Sequence, residues 1–160
     1  MHTRKFVTML AIALALVLRA ASAWAETVNC TPITALPAII TVQGVYCFTG
    51  NLATAITSGN AIDIQTNNVV LDLNGFRLAG LAAGLGTVAN GIHAINRQNI
   101  TVRNGTVRGF RQGIYLSNEG TSQGHVVEDI RADQNRFIGI QVNGSGNIVR
   151  NNQIVALRHK

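Results

Sequence analysis

Gly91-Ile92-His93-Ala94, Gly113-Ile114-Tyr115-Leu116 and Gly139-Ile140-Gln141-Val142 are three copies of one short pattern, with Ala61-Ile62-Asp63-Ile64 as a looser first copy. Their isoleucines fall 30, 22 and 26 residues apart. A second block follows each: Val102-Arg103-Asn104-Gly105-Thr106-Val107, Val127-Glu128-Asp129-Ile130-Arg131-Ala132 and Val149-Arg150-Asn151-Asn152-Gln153-Ile154. Its first copy, Leu71-Asp72-Leu73-Asn74-Gly75-Phe76-Arg77-Leu78, aligns only when two extra residues are admitted. Two strand-like blocks that recur together, with length changes confined to the joints between them, describe the rungs of a solenoid.

Alternation within a rung gives each residue a direction. Ile92 with Ala94, and Ile114 with Leu116, turn inward, which sends His93 and Tyr115 outward. Val102 and Val107 are both inward on either side of Asn104-Gly105, which must bend the chain between two short strands. Stacking repeats the bend, so Asn104, Asp129 and Asn151 are expected above one another as an Asn-type ladder that satisfies backbone groups along the stack. Leucine-rich repeats need a leucine density this chain lacks, and calcium-binding nonapeptides need a recurrent Gly-Gly-x-Gly-x-Asp. Helical repeats conflict with the Asn and Gly content. A β-sandwich would not repeat the same residue types at the same places.

Asn68-Val69-Val70-Leu71-Asp72-Leu73-Asn74-Gly75, Asn99-Ile100-Thr101-Val102-Arg103-Asn104-Gly105 and the Gly-Ile openings resemble bacterial right-handed parallel β-helix repeat proteins of the pectate-lyase-like superfamily, over roughly residues 45 to 160. The resemblance implies an all-β, right-handed parallel β-helix, here of about four rungs. It also implies export and an acidic polysaccharide as ligand, with Ca2+ entering by superfamily analogy alone. The motifs that carry it are scaffold motifs, so no reaction follows from them.

Residues 1–25 read as a secretory signal: Arg4 and Lys5, an apolar run from Phe6 to Leu18, and Ala23-Trp24-Ala25, with cleavage expected after Ala25. Thirteen apolar residues ended by Arg19 fall short of the roughly 20 that span a bilayer as a helix. The mature form is therefore expected to be periplasmic or extracellular and not membrane-spanning. Loss of Arg4, Lys5 and Arg19 takes the formal charge from +6 to +3. The remaining arginines are dispersed, a poor footprint for nucleic acid. Cys30 and Cys47, in a chain bound for an oxidising compartment, are expected to form a disulfide. They lie in residues 26–59, which do not join the repeat and are expected to cap the first rung of a helix running over residues 60–160. Nothing resembling a C-terminal cap follows Asn151-Asn152-Gln153-Ile154-Val155. The last rung is thus expected to be open, either as part of a longer helix or as an edge for self-association.

Outward residues fall into columns. Asp72, Arg103, Glu128 and Arg150 share one outward position with alternating sign, and Arg108 and Asp133 form a second pair. Neighbouring strands lie about 4.8 Å apart, where opposite charges stabilise and like charges repel, so these groups are expected to hold rungs together. A further column, Asp63, His93, Tyr115 and Gln141, is a polar and aromatic strip suited to sugars, with His93 able to act as acid or base. The longest joint, Ser117 to Gly124 with Glu119, is expected to overhang it. His125 is expected to be a solvated turn residue. Gly80 to Gly86 lacks the setting and the Lys of a phosphate-binding loop.

No paired acids, metal-ligand cluster or Ser-His triad can be placed, so the catalytic residues are unknown. The expectation is an exported β-helix that binds an acidic polysaccharide, with processing by a lyase, epimerase or glycoside hydrolase left open. The alternative is a structural or adhesive surface module acting through protein–protein contacts.

Overall fold

A computed structural model describes residues 29–158. The signal segment and the cleavage position after Ala25 lie outside the described residues. The chain forms fourteen short strands: β1 Thr31–Ile33, β2 Ala38–Ile40, β3 Gly44–Phe48, β4 Leu52–Ala53, β5 Asn60–Ile64, β6 Val69–Asp72, β7 Arg77–Ala79, β8 Asn90–Ile95, β9 Ile100–Arg108, β10 Gln112–Ser117, β11 Val126–Asp133, β12 Ile138–Val142, β13 Ile148–Arg150 and β14 Gln153–Ile154. Apart from one 3-10 turn at Leu81–Ala83, the regular structure of the described residues is β.

Every pairing is parallel. A five-stranded sheet runs β2-β5-β8-β10-β12, and a nine-stranded sheet runs β1-β3-β6-β9-β11-β13 with β4, β7 and β14 continuing it beyond the bend. The result is a parallel β-solenoid of about five turns, one more than the four rungs counted in the sequence. The difference lies at the N-terminal end. Ile39 pairs with Asp63 and Tyr46 with Leu71, so the segment expected to be a cap carries strands that continue both sheets. At the other end, β13 and β14 pair with β11 and extend the nine-stranded sheet alone.

The register follows the repeat residue for residue. Ile62, Ile92, Ile114 and Ile140 stack in one column. In the other sheet Val102 stands between Leu71 and Val127. Asp72 opposes Arg103 while Arg77 opposes Thr106, which places the two extra residues in the turn at Asn74-Gly75. The stacked inward side chains make one continuous core: Ile62, Leu71, Ile92, Val102, Val107, Phe110 and Ile114 are fully buried. That core thins at the last turn, where Val149 and Ile154, directly beyond the buried Val127 and Ala132, are each 53% exposed.

The glycines of the Gly-Ile openings have a packing cause. A Cβ on Gly91 would stand 2.4 Å from the Gly113 carbonyl oxygen, and one on Gly113 would stand 2.5 Å from that of Gly139. Neighbouring turns touch backbone to backbone here. Cys30 and Cys47 form the disulfide, Cα to Cα 5.9 Å, and so tie the chain ahead of β1 to β3.

The column Asn104, Asp129, Asn151 does stack, but what it shares is backbone. Asn74, Asn104, Asp129 and Asn151 all adopt the left-handed conformation (φ 49 to 57°) that turns the sheet through its bend. The chain of amides lies at another corner, where Asn99 Nδ2 donates to Asn68 Oδ1 (2.9 Å) and Asn68 Nδ2 to Gln43 Oε1 (3.2 Å). Asp129 has no N–H to pass along a ladder, so its column cannot be the one that propagates amide bonds.

Gly105 follows the bend and sits against the two-residue insertion, where an added Cβ would lie 2.4 Å from Leu73 Cβ and 2.6 Å from the Phe76 carbonyl oxygen. Leu73 is fully buried and cannot yield. Gly105→Ala is expected to destabilise the fold by about 1–3 kcal/mol through overpacking, measured by chemical denaturation. An unchanged midpoint would contradict this account of the bend.

Candidate functional site

The outer face of the five-stranded sheet carries the strip. Pairing aligns Asp63 with His93, His93 with Tyr115 and Tyr115 with Gln141, because the alternation that buries the isoleucines turns these four outward. The column begins one turn earlier than the sequence suggested, at Ile39, which is 64% exposed.

Asp63 and His93 form a bonded pair. His93 Nδ1 lies 2.8 Å from Asp63 Oδ1, with side-chain exposures of 16% and 23%. Asn60 Nδ2 is 3.1 Å from both Asp63 Oδ1 and His93 Nδ1. The amide donates to the carboxylate, so Nδ1 keeps its own proton on Asp63. Nε2, which no described residue hydrogen-bonds, is then the atom that can exchange a proton or accept from a ligand hydroxyl. Gln65 Nε2 donates to Asp63 Oδ2 at 2.8 Å. Burial alone would raise the Asp63 carboxyl, but the hydrogen bonds from His93 and Gln65, the charge of His93 and the Asn60 bond together bring it below the ordinary value.

Tyr115 stands beside the imidazole, ring centroids 5.7 Å apart and tilted by 47°. Its hydroxyl oxygen accepts from the buried Ser117 Oγ at 3.1 Å. Gln141 is oriented by Gln112, whose Nε2 donates to Gln141 Oε1 at 3.1 Å. Asn90 Nδ2 donates to Asn60 Oδ1 at 2.9 Å, linking the first two turns. Asn60, Asn90 and Gln112 were missed in the sequence, although a signal existed: each immediately precedes an Ala-Ile or Gly-Ile opening. The face is therefore a continuous amide, imidazole and phenol surface with one carboxylate in the strip.

Calcium needs several converging oxygens. Among the described residues no three of His, Cys, Asp and Glu converge, and both Asp63 oxygens are already engaged. These residues do not fit the ion.

The segment 118–124 does not bond to the strip. Its ties run to Asn96 and Gln98, where Glu119 N donates to Asn96 Oδ1 and Gln98 Nε2 to the Thr121 carbonyl. With Gln98, Gly144 and Ser145 it walls a polar groove at the neighbouring corner. Among the described residues the longest connection between strands is instead residues 80–89, which contains the 3-10 turn.

The charge columns are paired in register. Arg103 Nε bonds Asp72 Oδ2 at 2.9 Å and Arg150 Nη2 bonds Glu128 Oε2 at 2.6 Å, so the column resolves into two pairs. Arg108 Nη2 is 3.7 Å from Asp133 Oδ2 and donates to Gln134 Oε1 at 2.7 Å. The pairs differ in kind. Asp72 is 3% exposed and also accepts from Asn74 N and Asn104 Nδ2, so it holds the bend. Arg150 is 62% exposed.

His125 is buried, not solvated. It occupies the inward corner position beyond Ile100, where its Nδ1 accepts from Ile100 N (3.2 Å) and its Nε2 lies 2.7 Å from Ser122 Oγ. A backbone N–H facing Nδ1 fixes the Nε2-protonated tautomer, so the ring donates to Ser122. That polarity is opposite to the one a base needs to activate a serine, and the pair is structural. Burial alone holds the imidazole below its ordinary value.

Two consequences are measurable. Asp72→Ala, which removes a buried carboxylate and the acceptor of several partly buried donors, is expected to cost about 2–3 kcal/mol, and Glu128→Ala, beside an exposed arginine, under about 1 kcal/mol, both by denaturation. At His125 the unfolded chain takes a proton at a higher pH than the fold does. The stability from this site is complete above about 6.5 and is lost as the pH falls from there through the folded-state value. The thermal midpoint should therefore drop between pH 7.5 and 5, and less so in His125→Asn, which keeps an acceptor for Ile100 N but does not titrate. Equal drops in both proteins would refute the assignment.

Comparison with known proteins gives no match: no family model fits the chain, and no curated protein or solved structure is detectably similar. The architecture is a parallel β-solenoid, consistent with a β-helix fold.

Proposed function

We propose that the protein is exported and binds an acidic polysaccharide along the outer face of its five-stranded sheet. The observation that carries this reading is the single column Asp63, His93, Tyr115, Gln141, in which a carboxylate-oriented imidazole stands beside a phenol ring and is continued by oriented amides. Sugars are bound by this combination: an aromatic face for the apolar side of the ring, and fixed donors and acceptors for its hydroxyls. The strip crosses four turns, about 14 Å at the spacing of adjacent strands, so it suits an extended chain rather than a small molecule. The disulfide suits a non-reducing, exported setting.

Binding is preferred to turnover because the strip holds no pair of free carboxyl groups: its one carboxylate, Asp63, is already bonded by His93, Gln65 and Asn60, which leaves His93 Nε2 and the Tyr115 hydroxyl to exchange protons. Were the protein a lyase, epimerase or hydrolase, a further group would have to come from the ligand or from another part of the protein. The second reading, a surface module working through protein contacts, is favoured by the surface of the last described turn. There the exposed Val149 and Ile154, beside Ile140 and Val142, leave an apolar hollow suited to self-association.

The purified protein is expected to be retained on pectate or alginate, and the double variant His93→Ala with Tyr115→Ala to lose that retention by about tenfold or more. Incubation with either polymer, with and without calcium, followed by ultraviolet absorbance, tests for unsaturated product. Growth of absorbance would establish a lyase and overturn the binding-only reading. Wild-type protein that neither binds nor cleaves these polymers sinks the polysaccharide reading and leaves the surface module.

A further inference from the structure

Much of the charge in this chain is settled inside the stack: Asp72 takes Arg103, Glu128 takes Arg150 and Asp133 faces Arg108. Arg77, Arg97, Arg111, Arg131, Arg136 and Arg158 form no ion pair with an acid among the described residues, and Arg111 and Arg136 stand out among them by their placement. They stand on adjacent turns at the corner where the chain enters the five-stranded sheet, with Phe137 N donating to the Arg111 carbonyl (2.9 Å) and Arg136 N to that of Phe110 (2.7 Å). An anion at this corner would find cations on two adjacent turns.

The corner also carries an aromatic shelf. The Arg111 guanidinium lies 5.3 Å from the centroid of the Phe137 ring, which is 61% exposed. Arg136 is anchored, its Nη1 donating to the Thr87 carbonyl. Val88, next to Thr87, is 55% exposed and extends the apolar surface. Arg111 leads directly into β10, where Gln112 bonds Gln141 and Tyr115 follows four residues on, roughly 13 Å along the strand. The corner is thus continuous in the chain with the strand that carries Tyr115.

We propose that Arg111, Arg136 and Phe137 form the carboxylate-recognising subsite at that corner and that it takes a uronate residue. Phe137 supports the apolar side of the sugar ring, and the guanidinium fork of Arg111 meets the ring's carboxylate, the geometry for which arginine is better suited than lysine. Arg136, already held by Thr87, supplies a fixed second charge. This inference rests on the reading of the sheet face as a polysaccharide site, and it assigns the acid preference to residues outside the strip.

The test uses the full mature protein with two probes, polygalacturonate and its fully methyl-esterified form, in affinity electrophoresis at low salt. Wild-type protein is expected to prefer the free acid by about tenfold, the scale of one charge-assisted contact. Arg111→Gln should lose that preference while still binding the ester. Phe137→Ala should weaken binding to both polymers together. Both side chains are exposed, so neither change disturbs the core. An Arg111→Gln protein that keeps the full preference overturns the subsite, and if His93→Ala with Tyr115→Ala still abolishes binding, the strip reading survives alone. Equal binding of polyglutamate and polygalacturonate by the wild type overturns the sugar assignment. Wild-type protein that binds neither form of the polymer overturns both readings.

Discussion

The structure depends on parallel strands stacking in register at the spacing of one hydrogen bond. Because each turn lies about 4.8 Å from the next, a residue's nearest neighbours are its counterparts in the turns before and after. Ile62, Ile92, Ile114 and Ile140 make a core by touching one another. The same rule leaves Gly91 and Gly113 no room for a Cβ, since the next turn's carbonyl oxygen fills that space. It also makes opposite charge between neighbouring turns a stabilising arrangement, as in Asp72 with Arg103 and Glu128 with Arg150.

The polar groups inside the stack obey the same constraint with different chemistry. Asn135 is buried and bonds the backbone of a neighbouring turn, with Phe110 N donating to its Oδ1 and its Nδ2 donating to the Val107 carbonyl. Asn152 does the same for Ile130 N and the Val127 carbonyl. Corners interrupt the strand ladder, and a short amide that both donates and accepts replaces the lost bonds. His125 is the variant with a pH dependence, because its acceptor nitrogen can take up a proton and a backbone carbonyl cannot.

The outer face of the five-stranded sheet stands apart from this economy. Its column does not alternate in charge, and Asp63, His93, Tyr115 and Gln141 are oriented by neighbours on the same sheet or at its edge: Asn60 and Gln65, and the buried Ser117 and Gln112. Side chains fixed by a surface network keep their remaining donors and acceptors directed at solvent. That organisation serves a ligand rather than the core, and the arginines at its entry corner extend it with charge that the stack leaves unneutralised.

Much of the fold was legible in the residues themselves. Identical types recurring at the same place in each repeat, with length changes only at the joints, required stacked turns, and the columns read from that alignment are those the strands form, including the two-residue insertion near Asn74-Gly75. The four strip residues were legible for the same reason, since alternation alone sends them outward. The first turn was not, because β1 to β4 carry no copy of the motif and join the stack through backbone pairing, which any extended segment can make. The direction of His125 was hidden as well, since a histidine at a strand start is equally compatible with solvent and with a corner position beneath Ile100. What the chain determined by itself was periodicity and facing, which follow from local alternation. Only the tertiary structure decided who bonds whom across turns, namely Nδ1 of His93 with Asp63, the amide chain at Asn68 and Asn99, and the Arg111 guanidinium over Phe137, because those contacts join residues more than twenty positions apart.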